Sequence, residues 1–151
     1  MLKILLIEDN DNIRENTSEI LMLAGYKVFA VNNGEEGLIA ASQIRPDLII
    51  CDIVMQGLSG LEVFSELKCH GELKDTPFVF MSAKIDRPQF GAGRDPGADD
   101  FITKPFDAEQ LLGAVSRNIR KSTTIMQAGQ HSNPTKQEQV IPGRAKDAGS
   151  Q

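Results

Sequence analysis

Five short apolar runs, Leu2 to Ile7, Val28 to Val31, Leu48 to Cys51, Phe78 to Met81 and Phe101 to Ile102, recur along the chain. Most are near-continuous rather than alternating. A strand that is apolar at nearly every position has no face to offer water, so it belongs in a parallel sheet covered by helices on both sides. The intervening segments supply such helices. Ile13, Ile20, Leu21 and Ala24 share one helical face, with Asp11 placed to cap its start and Gly25 to end it. Asp107 likewise precedes a stripe of Leu111, Leu112, Val115 and Ile119. The pattern predicts an open α/β sheet of five parallel strands.

A chain of 151 residues can hold one domain with a proper core plus an appendage. The composition changes at Ser122: 17 of the 30 residues from there to Gln151 are Gly, Pro, Ser, Thr, Asn or Gln, and the aliphatic residues lose their period. Such a segment buries too little to offset its ordering entropy. Residues 1–121 therefore read as the domain, and 122–151 as a disordered tail or truncated linker. The first part carries 19 acidic and 13 basic side chains, a balance of −6, and the second 2 and 3, a balance of +1. An acidic domain argues against broad binding to nucleic acid or anionic lipid. No apolar stretch approaches the roughly 18 residues of a spanning helix, and Met1-Leu2-Lys3-Ile4 does not open a secretory signal, so a cytoplasmic protein without membrane contact is expected. Cys51 and Cys69 form neither a disulfide framework nor a metal-ligand spacing, and His70 and His131 read as solvated.

In an open parallel sheet, ligands bind beyond the carboxyl ends of the strands. There the first run ends in Glu8-Asp9, the third in Asp52, the fourth in Ser82, and the fifth leads to Lys104. Singly, each has an ordinary explanation: a helix cap, a turn serine, a solvated lysine. Together, three carboxylates would repel and raise one another's pKa unless a cation joined them. Mg²⁺ suits such a set, with Mn²⁺ as the alternative, because it binds one or two carboxylates and leaves positions for water and phosphate oxygens. A lysine and a hydroxyl opposite the ion then suit an incoming phosphoryl group.

Glu8-Asp9, Asp52 within Leu48-Ile49-Ile50-Cys51-Asp52-Ile53-Val54-Met55, Ser82-Ala83-Lys84, and Gly97-Ala98-Asp99-Asp100-Phe101-Ile102-Thr103-Lys104-Pro105-Phe106 resemble, in order and spacing, the receiver domain of two-component response regulators. The likeness spans about residues 2–120. It implies a flavodoxin-like (βα)5 fold with strand order 2-1-3-4-5. It also implies that Asp52 accepts a phosphoryl group from a sensor histidine kinase or a histidine phosphotransfer protein. Glu8, Asp9, Asp52 and the backbone carbonyl of Val54 would hold Mg²⁺, Lys104 would pair with a phosphoryl oxygen, and Ser82 would hydrogen-bond the attached group. Phe101 falls at the switch-aromatic position, although locally a plain core phenylalanine is the preferred reading. The Lys104-Pro105 peptide is expected to be cis. Output through the face of the fourth helix, fifth strand and fifth helix is implied, toward a partner or a missing C-terminal effector domain, with a homodimer through that face.

Two departures from the pattern stand out. Gln56 replaces a frequent proline, and Pro88, Gly91, Gly93, Pro96 and Gly97 make poor helix-forming material where the fourth helix should lie. That stretch is expected to be mobile before phosphorylation and ordered by it. Among functions, a phosphorylation-driven switch without substrate turnover leads. A Mg²⁺-dependent phosphatase is demoted because Val54 occupies the position where such enzymes carry an acid-base carboxylate. The completeness of Glu8, Asp9, Asp52, Ser82 and Lys104 opposes a decayed interaction module.

Overall fold

Strands form where the apolar runs lie: β1 (Lys3–Ile7), β2 (Lys27–Val31), β3 (Leu48–Asp52), β4 (Phe78–Ala83) and β5 (Asp100–Lys104). Between and after them run α1 (Asp11–Leu23), α2 (Gly34–Ile44), α3 (Gly60–Lys68) and α4 (Ala108–Gln130). The computed structural model describes residues 1–69, 71–83 and 100–130, with side chains in the last stretch to Ile119. His70, His131 and the glycine- and proline-rich run expected to form the family's fourth helix lie outside the described residues, so the helix after β5 is α4 here.

The sheet has the order β2-β1-β3-β4-β5, and each pairing is parallel. Alternate residues of one strand point to opposite faces. Leu5, Ile7, Ile49, Cys51, Phe78 and Phe80 pack toward Ala41 of α2 and Val63, Phe64 and Leu67 of α3. Ile4, Leu6, Leu48, Ile50, Val79 and Met81 pack toward Leu21 of α1 and Leu111, Ala114, Val115 and Ile119 of α4. Both sets are dry, which is why the runs do not alternate in sequence. β2 lies at an edge and is only partly buried.

Helix starts follow capping chemistry, with one correction. α1 is capped by Asn10, whose Oδ1 accepts from Ile13 N at 2.9 Å, and Asp11 is its first helical residue. An amide oxygen one residue earlier has the reach to the orphan N–H, while the Asp11 carboxylate still suits the positive end of the helix. At the other end of α1, Ala24 is the C-cap and Gly25 follows with φ 101°, the left-handed conformation glycine adopts without strain. Ser59 and Glu62 form a reciprocal capping box at α3. Asp107 and Gln110 do the same before α4, at 2.7 and 2.9 Å.

The far end of α4 runs past the composition boundary. Helical backbone passes the composition change at Ser122 and continues to Gln130. Polar residues without proline do not stop a helix that is already nucleated, since each added residue gains a hydrogen bond without a new nucleus.

Candidate functional site

The strand order changes direction between β1 and β3, and the residues leaving these two strands face each other there. Glu8 is fully buried. Its N–H donates to Val31 O at 3.1 Å, and its Oε2 accepts from Asn10 N at 3.0 Å. Asp52 ends β3 and is almost fully buried. Lys104 ends β5, two strands away, and its ammonium lies 2.9 Å from Asp52 Oδ2 and 3.0 Å from Glu8 Oε1. The β4 residue in register with Lys104 is Ala83. The Lys104–Pro105 peptide is cis.

Asp9 stands exposed at the rim. Carboxylate oxygens of Glu8, Asp9 and Asp52 all lie within 4.8 Å of one another. Three hard oxygen donors at that spacing fit a divalent cation such as Mg²⁺, which needs only some of its positions filled by protein.

Ser82 is buried in β4, one register position past the pairing of Asp52 with Met81. Its Oγ has no hydrogen-bond partner among the described residues. Phe101 is half-buried and stacks on Phe80, ring centroids 5.7 Å apart, within the core on the α2 and α3 side. Val54 sits in the loop leaving Asp52 and is 60% exposed. The structure thus joins Glu8, Asp9, Asp52 and Lys104, sets Ser82 on the adjoining strand end, and keeps Phe101 against Phe80.

Gly60 was not legible as a site residue. Its N–H donates to Ile53 O at 2.8 Å, folding the loop after Asp52 back on itself. A Cβ on Gly60 would collide with the carbonyl oxygen of Asp52 and lie 2.8 Å from Ile53 Cα. The only hint in sequence is a glycine directly after a capping serine.

Burial pushes the Glu8 carboxyl up to about 7, and the negative charge of Asp52 adds to this, against the opposing pull of the Asn10 N–H and of Lys104. For Lys104, burial works to lower the pKa, but its hydrogen bonds to Asp52 and Glu8 and their charges outweigh that, and the net direction is up. The lysine therefore stays charged between the two carboxylates. Burial raises the Cys51 thiol well above its usual range, which removes it as a nucleophile. Beside Lys104, an open and mostly apolar hollow of about 470 Å³ is lined by Asn12, Ile13, Asn16, Pro105 and Phe106.

Fold and site together define a class: a parallel α/β protein with an acidic, lysine-bearing pocket at the switch of strand order. Sequence comparison is more specific. The chain matches the response regulator receiver domain family over residues 4–116, and it belongs to that family. It is 36% identical over 132 residues to the DNA-binding dual master transcriptional regulator RpaA of Synechocystis, covering 87% of this chain and 55% of that protein. Response regulator MprA of Mycolicibacterium vanbaalenii is 34% identical over 133 residues, covering 88% and 57%. The chain therefore spans a little over half the length of these relatives. Among solved structures, the chemotaxis response regulator CheY4 of Vibrio cholerae superposes with a TM-score of 0.72 at 32% identity, over 78% of this chain and 98% of that one. NtrX of Brucella abortus superposes with a TM-score of 0.79 at 26% identity, over 96% and 31%.

Proposed function

We propose that this receiver domain is a phosphorylation switch in which Asp52 takes the phosphoryl group of a phosphohistidine on a sensor kinase or phosphotransfer protein. The observation that carries this reading is the convergence of Glu8, Asp9, Asp52 and Lys104 from three strand ends. In the transfer, an oxygen of Asp52 bonds to phosphorus while the phosphorus–nitrogen bond to the donor imidazole breaks, the imidazole keeping the electron pair. Glu8, Asp9, Asp52 and the Val54 carbonyl would hold Mg²⁺ or Mn²⁺, which when bound neutralises charge on the phosphoryl oxygens. Lys104 already pairs with Asp52 and needs only to pass from a carboxylate oxygen to a phosphoryl oxygen.

Ser82 fits the same chemistry. A buried hydroxyl without a partner costs free energy, and a phosphoryl oxygen would satisfy it. Phe101, stacked on Phe80, would turn further inward when Ser82 moves toward the phosphoryl group. The donor presents its imidazole at the pocket mouth, and the apolar hollow beside Lys104 lies at that rim.

The domain acts by changing its surface, not by turning over a substrate. Its output passes to a partner or to an effector segment, since the relatives extend well beyond the matched part, and a homodimer through the face containing β5 and α4 is one such output. Among the described residues no helix is long and apolar enough to cross a membrane; the cytoplasmic setting is part of the proposal and follows from the kinase partner. The test is mass spectrometry after incubation with acetyl phosphate and Mg²⁺. One added phosphoryl group on wild type, none on Asp52→Asn, and none with chelator is the expected result. A modified Asp52→Asn, or an unmodified wild type, would overturn the assignment.

A further inference from the structure

We infer that Arg14 is a positioning residue for the acidic pocket, holding the β1–α1 turn that presents Glu8 and Asp9. This rests on the proposed cation site and deepens it. Glu8 is the last residue before the turn, and its carbonyl lies beyond the β1 ladder. Arg14 Nη1 donates to that carbonyl at 3.0 Å, and Arg14 Nη2 pairs with Asp11 Oδ1 at 2.6 Å. The Arg14 backbone N–H donates to Asn10 O at 2.9 Å, so the same residue also closes the first hydrogen bond of α1.

With these bonds, Glu8 is held at three points, N–H to Val31, carbonyl to Arg14 and Oε2 to Asn10, while Oε1 meets the Lys104 ammonium in an ion pair at 3.0 Å. Asp9, by contrast, is exposed and makes no side-chain hydrogen bond among the described residues. Its carboxylate goes where the turn puts it. The turn has two anchors, the strand end at Glu8 and the helix start at Asp11, and the guanidinium grips one with each of two nitrogens. Only 19% of the Arg14 side chain is exposed, so the fork is held in place and is not a solvated charge. A planar guanidinium spans two acceptors at once; an ammonium is a single point charge. Groups that orient a metal ligand without touching the metal commonly carry a 10- to 100-fold share of affinity, about 1.4 to 2.7 kcal/mol.

Two measurements on the full chain test this. The first is calorimetric titration with Mg²⁺ of wild type, Arg14→Ala and Arg14→Lys, alongside the melting temperature without metal. Arg14→Ala should raise the dissociation constant about tenfold or more at a temperature where the metal-free melt shows the variant still folded, the melt itself falling because the Glu8 carbonyl loses its donor. Arg14→Lys, which keeps the charge and loses the fork, should show at least a threefold rise; equality with wild type would overturn the positioning role. The second measurement needs no metal: amide hydrogen exchange at Asp9, Asn10 and Asp11 should speed up at least fivefold in both variants. Unchanged exchange overturns the inference even if affinity falls. A wild type that binds no Mg²⁺ while exchange responds as expected would overturn the cation site and, with it, the claim that Arg14 serves one. If Arg14→Ala does not fold, Arg14→Lys decides both measurements.

Discussion

Glu8 is the residue at which burial and chemistry conflict most. Its carboxyl titrates near 7 in the folded protein against an ordinary 4.5, so between these values the native state holds a proton that the unfolded chain has released. Stability from this group is therefore present at pH 4.5 and below and is lost as pH rises to about 7. The whole shift corresponds to a little over about 3 kcal/mol, of which roughly 2 to 3 falls between pH 5 and 7.5. Urea unfolding of metal-free protein at pH 5 and 7.5 should show wild type losing roughly that much more than Glu8→Gln; identical slopes for the two would contradict it. Gly60 is decided by space instead. Gly60→Ala places a methyl against the carbonyl of Asp52, the proposed phosphoacceptor, and should cost about 1 to 3 kcal/mol while slowing acetyl-phosphate labelling of Asp52. Melting curves together with a mass-spectrometric time course would show both effects. The acids and the lysine were legible in sequence because charged residues at strand ends stand out. Gly60 was not, because a forbidden Cβ is visible only once the loop has folded back over Asp52.

At the level of elements, β5 and α4 are joined by a polar lock that periodicity does not show. Asp100 Oδ2 accepts from Arg117 Nη2 at 2.8 Å and from Asn118 Nδ2 at 3.1 Å, while its Oδ1 accepts from Phe101 N at 2.8 Å. Burial alone would raise the Asp100 carboxyl, but these donors and the Arg117 charge outweigh it and hold it below the usual range. The stability this contributes is present above the ordinary carboxylate pKa and is lost as pH falls through the depressed one. Asn118 is fully buried and also donates to Ala114 O at 2.7 Å. Asn118→Ala should cost about 1 to 3 kcal/mol, because it removes both hydrogen bonds of a buried amide and leaves the space its side chain filled. Arg117→Ala should cost under about 1, since its side chain is mostly in water. Chemical denaturation ranks the two, and the reverse order would mean that the ion pair, not the buried amide, holds the helix. The apolar stripe of α4 was legible, as Leu111, Val115 and Ile119 repeat at helical spacing. Asn118 broke no pattern, and nothing in its neighbours marks it as buried.

For the whole molecule, a cation held in the acidic pocket would couple metal binding to folding. An ion that binds only the native state adds about 2.7 kcal/mol at a hundredfold excess over its dissociation constant, and here it would also relieve repulsion among Glu8, Asp9 and Asp52. Thermal melts with millimolar Mg²⁺ should shift upward in wild type. Asp9→Asn should lose most of the shift while leaving the metal-free melt near that of wild type, because Asp9 is exposed. Superimposable wild-type curves with and without Mg²⁺ would refute the coupling.

The order of strands and helices, the two-sided core and the identities of the acids, the serine and the lysine follow from the chain itself. They rest on local chemistry: apolar runs with no polar face, caps at helix starts, charge at strand ends. Which carboxylate is buried and which stands at the rim was decided only by the tertiary structure. So were the crossing of Lys104 over β4, the closeness of Gly60 to Asp52 and the grip of Arg14 on the Glu8 carbonyl. These depend on distances between segments far apart in sequence. Such distances are set by how the sheet and helices pack together, not by any property of the residues taken one at a time.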